Sequence, residues 1–241
     1  MPTVAELTAL YGNFMLGPRP GEAVCRVCFD LTDGHPHCYG CAYAGPWLDA
    51  VVPISYSVAH EQLHHALAGY KRARVEVARR FEVELAAVLW RHLDRHEQCV
   101  AAAAGTSGFE LVTTVPSSTR ERDGTHPLHR VVGELTGPTR GRHERLLRRS
   151  QASVTAREFS PDKFEAIRGL AGGSVLLIDD TWTTGANARS AAAALKAAGA
   201  GAVAAVVIGR HLHRDWHEND RRLRALPCPF DWGSCAVHAG D

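Results

Sequence analysis

The segment Val175-Leu-Leu-Ile-Asp-Asp-Thr-Trp-Thr-Thr-Gly-Ala-Asn187 constrains this chain more than any other. Four apolar residues, Val175 to Ile178, read as a strand buried on both faces. Asp179 and Asp180 stand at its C-terminal end, where open α/β sheets bind their ligands. Thr181-Trp-Thr-Thr-Gly185 then turns directly into a helix. Successive backbone N–H groups in such a turn, backed by a helix N-terminus, form a phosphate cradle. Thr181, Thr183 and Thr184 add hydroxyl donors, and Gly185 permits a tight turn with close approach of the phosphate. Trp182 either lines the pocket or packs under the helix. Two adjacent aspartates repel in a low-dielectric site. They are accounted for if the carboxylates accept hydrogen bonds from ribose hydroxyls while the loop holds a 5′-phosphate. The plainer alternative is an Asp-capped strand end with a Thr-rich turn. Neither G-x-G-x-x-G nor G-x-x-x-x-G-K-[ST] occurs, so the other common phosphate loops lack their signature.

Around this segment, apolar runs alternate with helical periodicity. Ala50 to Tyr56 and Phe109 to Pro116 read as strands, and so does the stretch 202–208. Residues 59–97 carry Leu63, Leu67, Tyr70, Phe81, Leu85 and Leu89 near helical spacing, with Gly69 as a candidate break. A helix is expected over 129–135, loop over 136–142 and partial helix over 143–157. A last helix over 187–198 is expected, with Gly199 as its cap. Alternation of this kind predicts an α/β fold with a parallel sheet. With 241 residues there is room for one sizeable core and a small accessory module.

Residues 1–49 supply that module; residues 50–241 form the α/β domain. Cys25-Arg-Val-Cys28 and Cys38-Tyr-Gly-Cys41 are two knuckles that can give four thiolates to one tetrahedral Zn²⁺. Four thiolates leave no open position, so the ion would be structural and would staple a loop-rich segment. A redox pair or unligated buried thiols are the alternatives, and His35 and His37 are competing ligands. Cys99, Cys228 and Cys235 read as lone thiols, although Cys228, Cys235 and His238 could form another site. Pro229-Phe-Asp-Trp232 is expected to dock the tail.

These motifs together resemble the ComF-like family of type I phosphoribosyltransferases, related to the amidophosphoribosyltransferases. The resemblance rests on the paired C-x-x-C units and the strand ending at Val115-Pro116. It also rests on the basic segment with Gln151 and Arg157 ahead of Phe164, and on the loop after Asp180. The chain departs from the family at Arg122-Asp-Gly-Thr-His-Pro-Leu-His129, where members carry Arg-Gly-Phe-Asn-Gln. The resemblance implies a type I phosphoribosyltransferase fold with an N-terminal zinc-ribbon-like module. It implies phosphoribosyl pyrophosphate or a nucleotide as ligand, with Mg²⁺ bridging ribose and pyrophosphate oxygens. Asp179 and Asp180 would then be catalytic, and Thr181, Trp182, Thr183, Thr184 and Gly185 would bind the 5′-phosphate. Ser117, Ser118 and Arg120 would face the leaving pyrophosphate, with Lys71 as a lesser anion contact. The family is tied to natural transformation. This admits a second reading: a non-catalytic phosphoribosyl-binding protein of DNA uptake, with single-stranded DNA or a competence protein as partner.

Residues 120–149 hold eight arginines against four acids, a Gly- and Pro-broken basic stretch. It suits a closing lid, a solvated helix face, or a phosphate-tracking surface for single strands. The whole chain carries a net charge of only +1, so nothing global points to nucleic acid. No apolar run approaches the roughly 20 residues of a membrane span. The N-terminus has no basic region followed by an apolar core, and a cytoplasmic location is expected.

Overall fold

A computed structural model describes residues 2–117, 123–155, 157–216 and 218–237. Its short leading elements are α1 (Val4–Thr8) and α2 (Tyr39–Ala42). The core elements follow: β1 (Ala50–Val58), α3 (Gln62–Arg72), α4 (Val75–Ala103) and β2 (Leu111–Thr114). A turn of helix, α5 (Pro127–Arg130), runs into a wider π-type turn at Val131–Leu135 and then α6 (Gly137–Arg140). Strands β3 (Leu147–Arg149) and β4 (Phe164–Ala166) make a small antiparallel pair. The chain continues through β5 (Val175–Trp182), α7 (Ala186–Ala197), β6 (Val203–Leu212) and α8 (Asn219–Arg224).

The central sheet has four strands in the order β1-β6-β5-β2, all parallel. Its strands are apolar on both faces because helices cover both. Strand periodicity divides β5 cleanly. Leu176 and Ile178 pack with residues of α3 and α4, whereas Val175 and Leu177 pack with Ala191, Ala192 and Leu195 of α7. Each of these fully buried side chains contributes about 1.5–3 kcal/mol of burial free energy.

The topology opens a crevice at one place. After β2 the chain leaves toward the α4 face, where Leu128, Val131 and Val132 are buried. After β5 it leaves toward the opposite face through α7. Neighbouring strands whose connections diverge leave a cleft between their C-terminal ends. Register sharpens the cleft: β2 pairs with β5 only as far as Thr114 opposite Ile178, while β5 continues along β6 to Trp182 opposite Arg210.

Several expectations require correction. The strand expected to end at Ile178 runs on through both aspartates, because β6 continues to pair with it. The break in the long helical region falls at Ala73 and Arg74, not at Gly69. Gly69 lies inside α3, and a Cβ there would come within 2.6 Å of the Phe81 ring. The glycine lets α4 fold back closely on α3. The 143–157 stretch forms no helix among its described residues and instead supplies β3. Over its described residues the 120–149 stretch buries Leu128, Val131, Val132, Thr136 and Thr139. Three of its described arginines are paired with acids. Arg142 binds Glu97 at 2.7 Å, Arg148 binds Glu165 at 2.7 Å, and Arg130 binds Glu82.

Residues 1–49 end where β1 begins, and they pack against the sheet. Tyr11, Met15 and Phe29 join the α3/α4 core, and Cys25, Cys28 and Cys41 join the α7 core. The tail docks as expected of its aromatic residues: Phe230 donates its backbone N–H to Gly12 O at 2.7 Å, and Arg91 lies 4.4 Å from the Trp232 ring. No helix among the described residues is long and apolar enough to cross a membrane.

Candidate functional site

The crevice is a cleft of about 610 Å³. Asp179, Asp180 and Thr181 of β5 line one wall, and Val115, Pro116 and Ser117 after β2 line another. Lys71 and Arg72 at the end of α3 close it, with Thr125 and His126 at the rim and Asn187 of α7 below.

Strand alternation separates the two aspartates. Asp180 shares the parity of Leu176 and Ile178 and therefore meets α3. Its Oδ2 accepts a hydrogen bond from Tyr70 Oη and lies 2.6 Å from Lys71 Nζ. Burial by itself would raise the Asp180 carboxyl. The Lys71 ammonium and the hydrogen bonds from Lys71 and Tyr70 outweigh it and hold the group below the ordinary carboxylate range. Asp179 has the opposite parity, and its Oδ1 accepts from the Asp180 amide at 2.9 Å. Burial, and next the charge of Asp180, push its carboxyl up to about 8. The pair therefore holds one firm negative charge and one carboxyl ready to lose its proton to a ligand.

His126 faces the Tyr70 ring edge-on with centroids 6.3 Å apart. Burial lowers its proton affinity, partly opposed by Asp180. Ser117 N donates to Asp123 Oδ1 at 2.8 Å, which ties the post-β2 turn to the segment leading to α5. Ser118 and Arg120 lie outside the described residues.

The loop is built around Gly185, whose φ of +76° suits glycine and whose residue opens α7. A Cβ at Gly185 would come within 2.1 Å of the Trp182 ring. Trp182 is thus not in the cleft; it is buried beneath the loop and supports it. Thr183 and Thr184 are exposed. Thr184 Oγ1 accepts from Ala186 N at 3.3 Å and donates to Arg157 O at 3.4 Å. Helix α7 has no side-chain N-cap, and its first amides open beside the threonines.

On the far side of the loop, Cys25, Cys28, Cys38 and Cys41 come together with their sulfurs within 4.8 Å of one another. Cys28 and Cys38 Sγ are 3.6 Å apart, close to the roughly 3.8 Å edge of a tetrahedral site with 2.3 Å metal–sulfur bonds. Phe29 takes a φ of +60° directly after Cys28 and returns its N–H to Cys25 O at 3.0 Å. Cys41 and Ala42 both donate backbone N–H groups to Cys38 O. These are two tight knuckles, and the cluster could hold a metal ion. His35 and His37 are exposed and outside it.

Two buried arginines, invisible to motif reading, sit against the thiols. Arg189 of α7 donates to Cys41 Sγ at 2.9 Å and to Thr184 O at 3.1 Å. Arg210 of β6 pairs with Asp30 at 2.7 Å and donates to Trp182 O at 3.3 Å. The cysteine cluster and the threonine loop therefore share their supports. Tyr70, His126, Asp123, Arg189 and Arg210 carry no local sequence signal, since each is recruited by topology. The helical position of Lys71 gave a faint one. Compared with family models and with curated proteins, the chain matches none.

Proposed function

We propose that the chain binds a 5-phosphoribosyl ligand, most simply phosphoribosyl pyrophosphate, and transfers its phosphoribosyl group with release of pyrophosphate. One observation carries this reading: adjacent carboxylates on β5 run without interruption into a Gly185-hinged loop that opens α7, at the switch point of a parallel sheet.

In this reading the amides of α7, with Thr181, Thr183 and Thr184, take the 5′-phosphate. Asp179 and Asp180 accept from the ribose hydroxyls. The pyrophosphate lies toward Ser117, Lys71 and Arg72, where cations and a backbone turn line the cleft. The carboxylate pair suits Mg²⁺, a hard cation that takes oxygen ligands and would neutralise pyrophosphate charge when bound. The bond from the ribosyl carbon to pyrophosphate breaks, and one to the acceptor forms as the acceptor loses a proton. Lys71 holds Asp180 ionised throughout, and positioning with electrostatics accounts for the step. The fold of this reading is that of the type I phosphoribosyltransferases. The Cys25, Cys28, Cys38 and Cys41 cluster holds a structural Zn²⁺, which fits a reducing, cytoplasmic setting.

Calorimetry with phosphoribosyl pyrophosphate, with and without Mg²⁺, tests the site. Binding should be lost on combining Asp179→Asn with Asp180→Asn in a chain that remains folded by circular dichroism. Unchanged binding would refute the assignment. Tight binding without pyrophosphate release, across base, amine and ammonia acceptors, would favour the non-catalytic reading.

A further inference from the structure

Far from the cleft, one stripe of α4 meets the docked tail. His96 and Cys99 are three residues apart, so they project from the same side of the helix. The tail brings Cys235 to them. A ring nitrogen of His96 and the sulfurs of Cys99 and Cys235 all lie within 4.8 Å of one another. His96 and Cys235 are buried, and Cys99 is partly exposed. Cys228, weighed with Cys235 and His238 as another site, is exposed and donates its Sγ–H to Asn13 O at 3.6 Å, and His238 lies outside the described residues.

The imidazole has one nitrogen held by the tail and one left to ligate. His96 Nε2 lies 2.9 Å from Trp232 O. A carbonyl oxygen can only accept, so Nε2 carries the proton and Nδ1 keeps its lone pair. A backbone carbonyl on the distal nitrogen is the usual second partner of a metal-binding histidine. The tail that supplies Cys235 also supplies this carbonyl, so both arrive with one docking event.

We infer that His96, Cys99 and Cys235 form a second metal site that takes Zn²⁺. One imidazole and two sulfurs suit a borderline-soft ion. Zn²⁺ with two thiolates is neutral overall, which fits the apolar surroundings of Phe230, Trp232 and Ala236. The Cys25, Cys28, Cys38 and Cys41 cluster is different: four thiolates around one divalent ion leave two negative charges, and there Arg189 and Arg210 stand guard. A tetrahedral ion draws such atoms to about 3.5–3.8 Å apart, so the observed cluster, with its atoms within 4.8 Å, has to close by about 1.3 Å at most. Three protein ligands leave a fourth coordination position for water or a small ligand, beside partly exposed Cys99. The ion would pin the tail to α4.

The test is zinc content of the full chain after dialysis against excess Zn²⁺ and removal of loose metal. Cys99→Ser and Cys235→Ser should each hold one zinc equivalent less than the parent chain. Cys38→Ser should lower the content independently, and the two losses should add. Cobalt substitution of the full chain should give thiolate-to-metal absorption that Cys99→Ser lowers by the share of one metal. Cys99, being partly exposed, is the variant that best keeps its fold, checked by circular dichroism. Equal zinc in the parent and Cys99→Ser chains overturns the site. So does a native mass showing Cys99 and Cys235 joined as a disulfide.

Discussion

The carboxylate pair sets the electrostatics of the cleft residue by residue. Asp180 is neutralised locally by Lys71 and Tyr70. Asp179 is not, and burial together with the neighbouring charge raises it to about 8. A carboxyl whose folded value exceeds its unfolded value, ordinarily near 3.9, binds its proton more tightly when folded. Its stabilising contribution is complete below about pH 4 and is lost as pH rises through about 8. Asn mimics the protonated form. We therefore expect Asp179→Asn and the parent chain to have similar urea midpoints below about pH 4, with the variant gaining as pH rises to about 8 and no further gain above it. A constant offset between the two across that range would contradict the raised carboxyl. Both aspartates were legible in the sequence because an acid pair after four apolar residues is itself a local pattern. Tyr70 was not, and Lys71 only faintly, because their meeting with Asp180 spans more than a hundred positions and depends on how α3 crosses the sheet.

At the scale of elements, the loop between β5 and α7 is held from beneath rather than by its own side chains. Arg189 joins it to Cys41, Arg210 joins the end of β5 to Asp30, and Trp182 fills the space under Gly185. Replacing Arg189 with Met keeps much of the bulk but leaves the buried Cys41 sulfur and the Thr184 carbonyl without their partner. Removing one member of a buried pair costs about 3 kcal/mol or more. The unfolding free energy should fall by that order, and under the proposed function affinity for phosphoribosyl pyrophosphate should fall with it. Arg189→Lys should recover little, because one ammonium cannot reproduce the two-pronged guanidinium contact. Denaturant titration and calorimetry on the same samples check both effects; a stability loss with unaltered affinity would separate the cysteine cluster from the loop. Helix α7 was legible almost to its ends, since an Ala-rich run closed by Gly199 is strong local information. β5 was longer than its apolar run because pairing with β6, a non-local interaction, carries the polar residues Asp179 to Thr181 in extended form. The basic 143–157 stretch misled for the converse reason. Its composition permits helix, but β3 is fixed by β4, whose Phe164 lies opposite Arg149.

Across the whole molecule, the cysteine-bearing N-terminal segment is a load shared by both cores. Met15 and Phe29 lie in the α3/α4 core, while Cys25 and Cys28 lie in the α7 core. Further ties come from Tyr56 Oη, which donates to Phe29 O at 2.8 Å, and from Tyr56 N, which donates to Leu16 O at 2.8 Å. The two C-x-x-C units announced a cysteine cluster, and spacing could place it. Spacing could not show that the cluster also anchors the sheet, because Arg189 and Arg210 reach it from positions far along the chain. A fragment of residues 50–241 would expose these apolar surfaces and strand both arginines away from their sulfur and Asp30 partners. Uncovering several large side chains, each worth about 1.5–3 kcal/mol, exhausts the 5–15 kcal/mol by which a domain is ordinarily stable. The fragment should therefore bind a hydrophobic dye and melt without a cooperative transition. In the full chain, near-ultraviolet circular dichroism and zinc release should follow one common thermal curve. A fragment of 50–241 with native-like dichroism and a sharp transition would show instead that the segment is a detachable module and that the sheet carries its own stability.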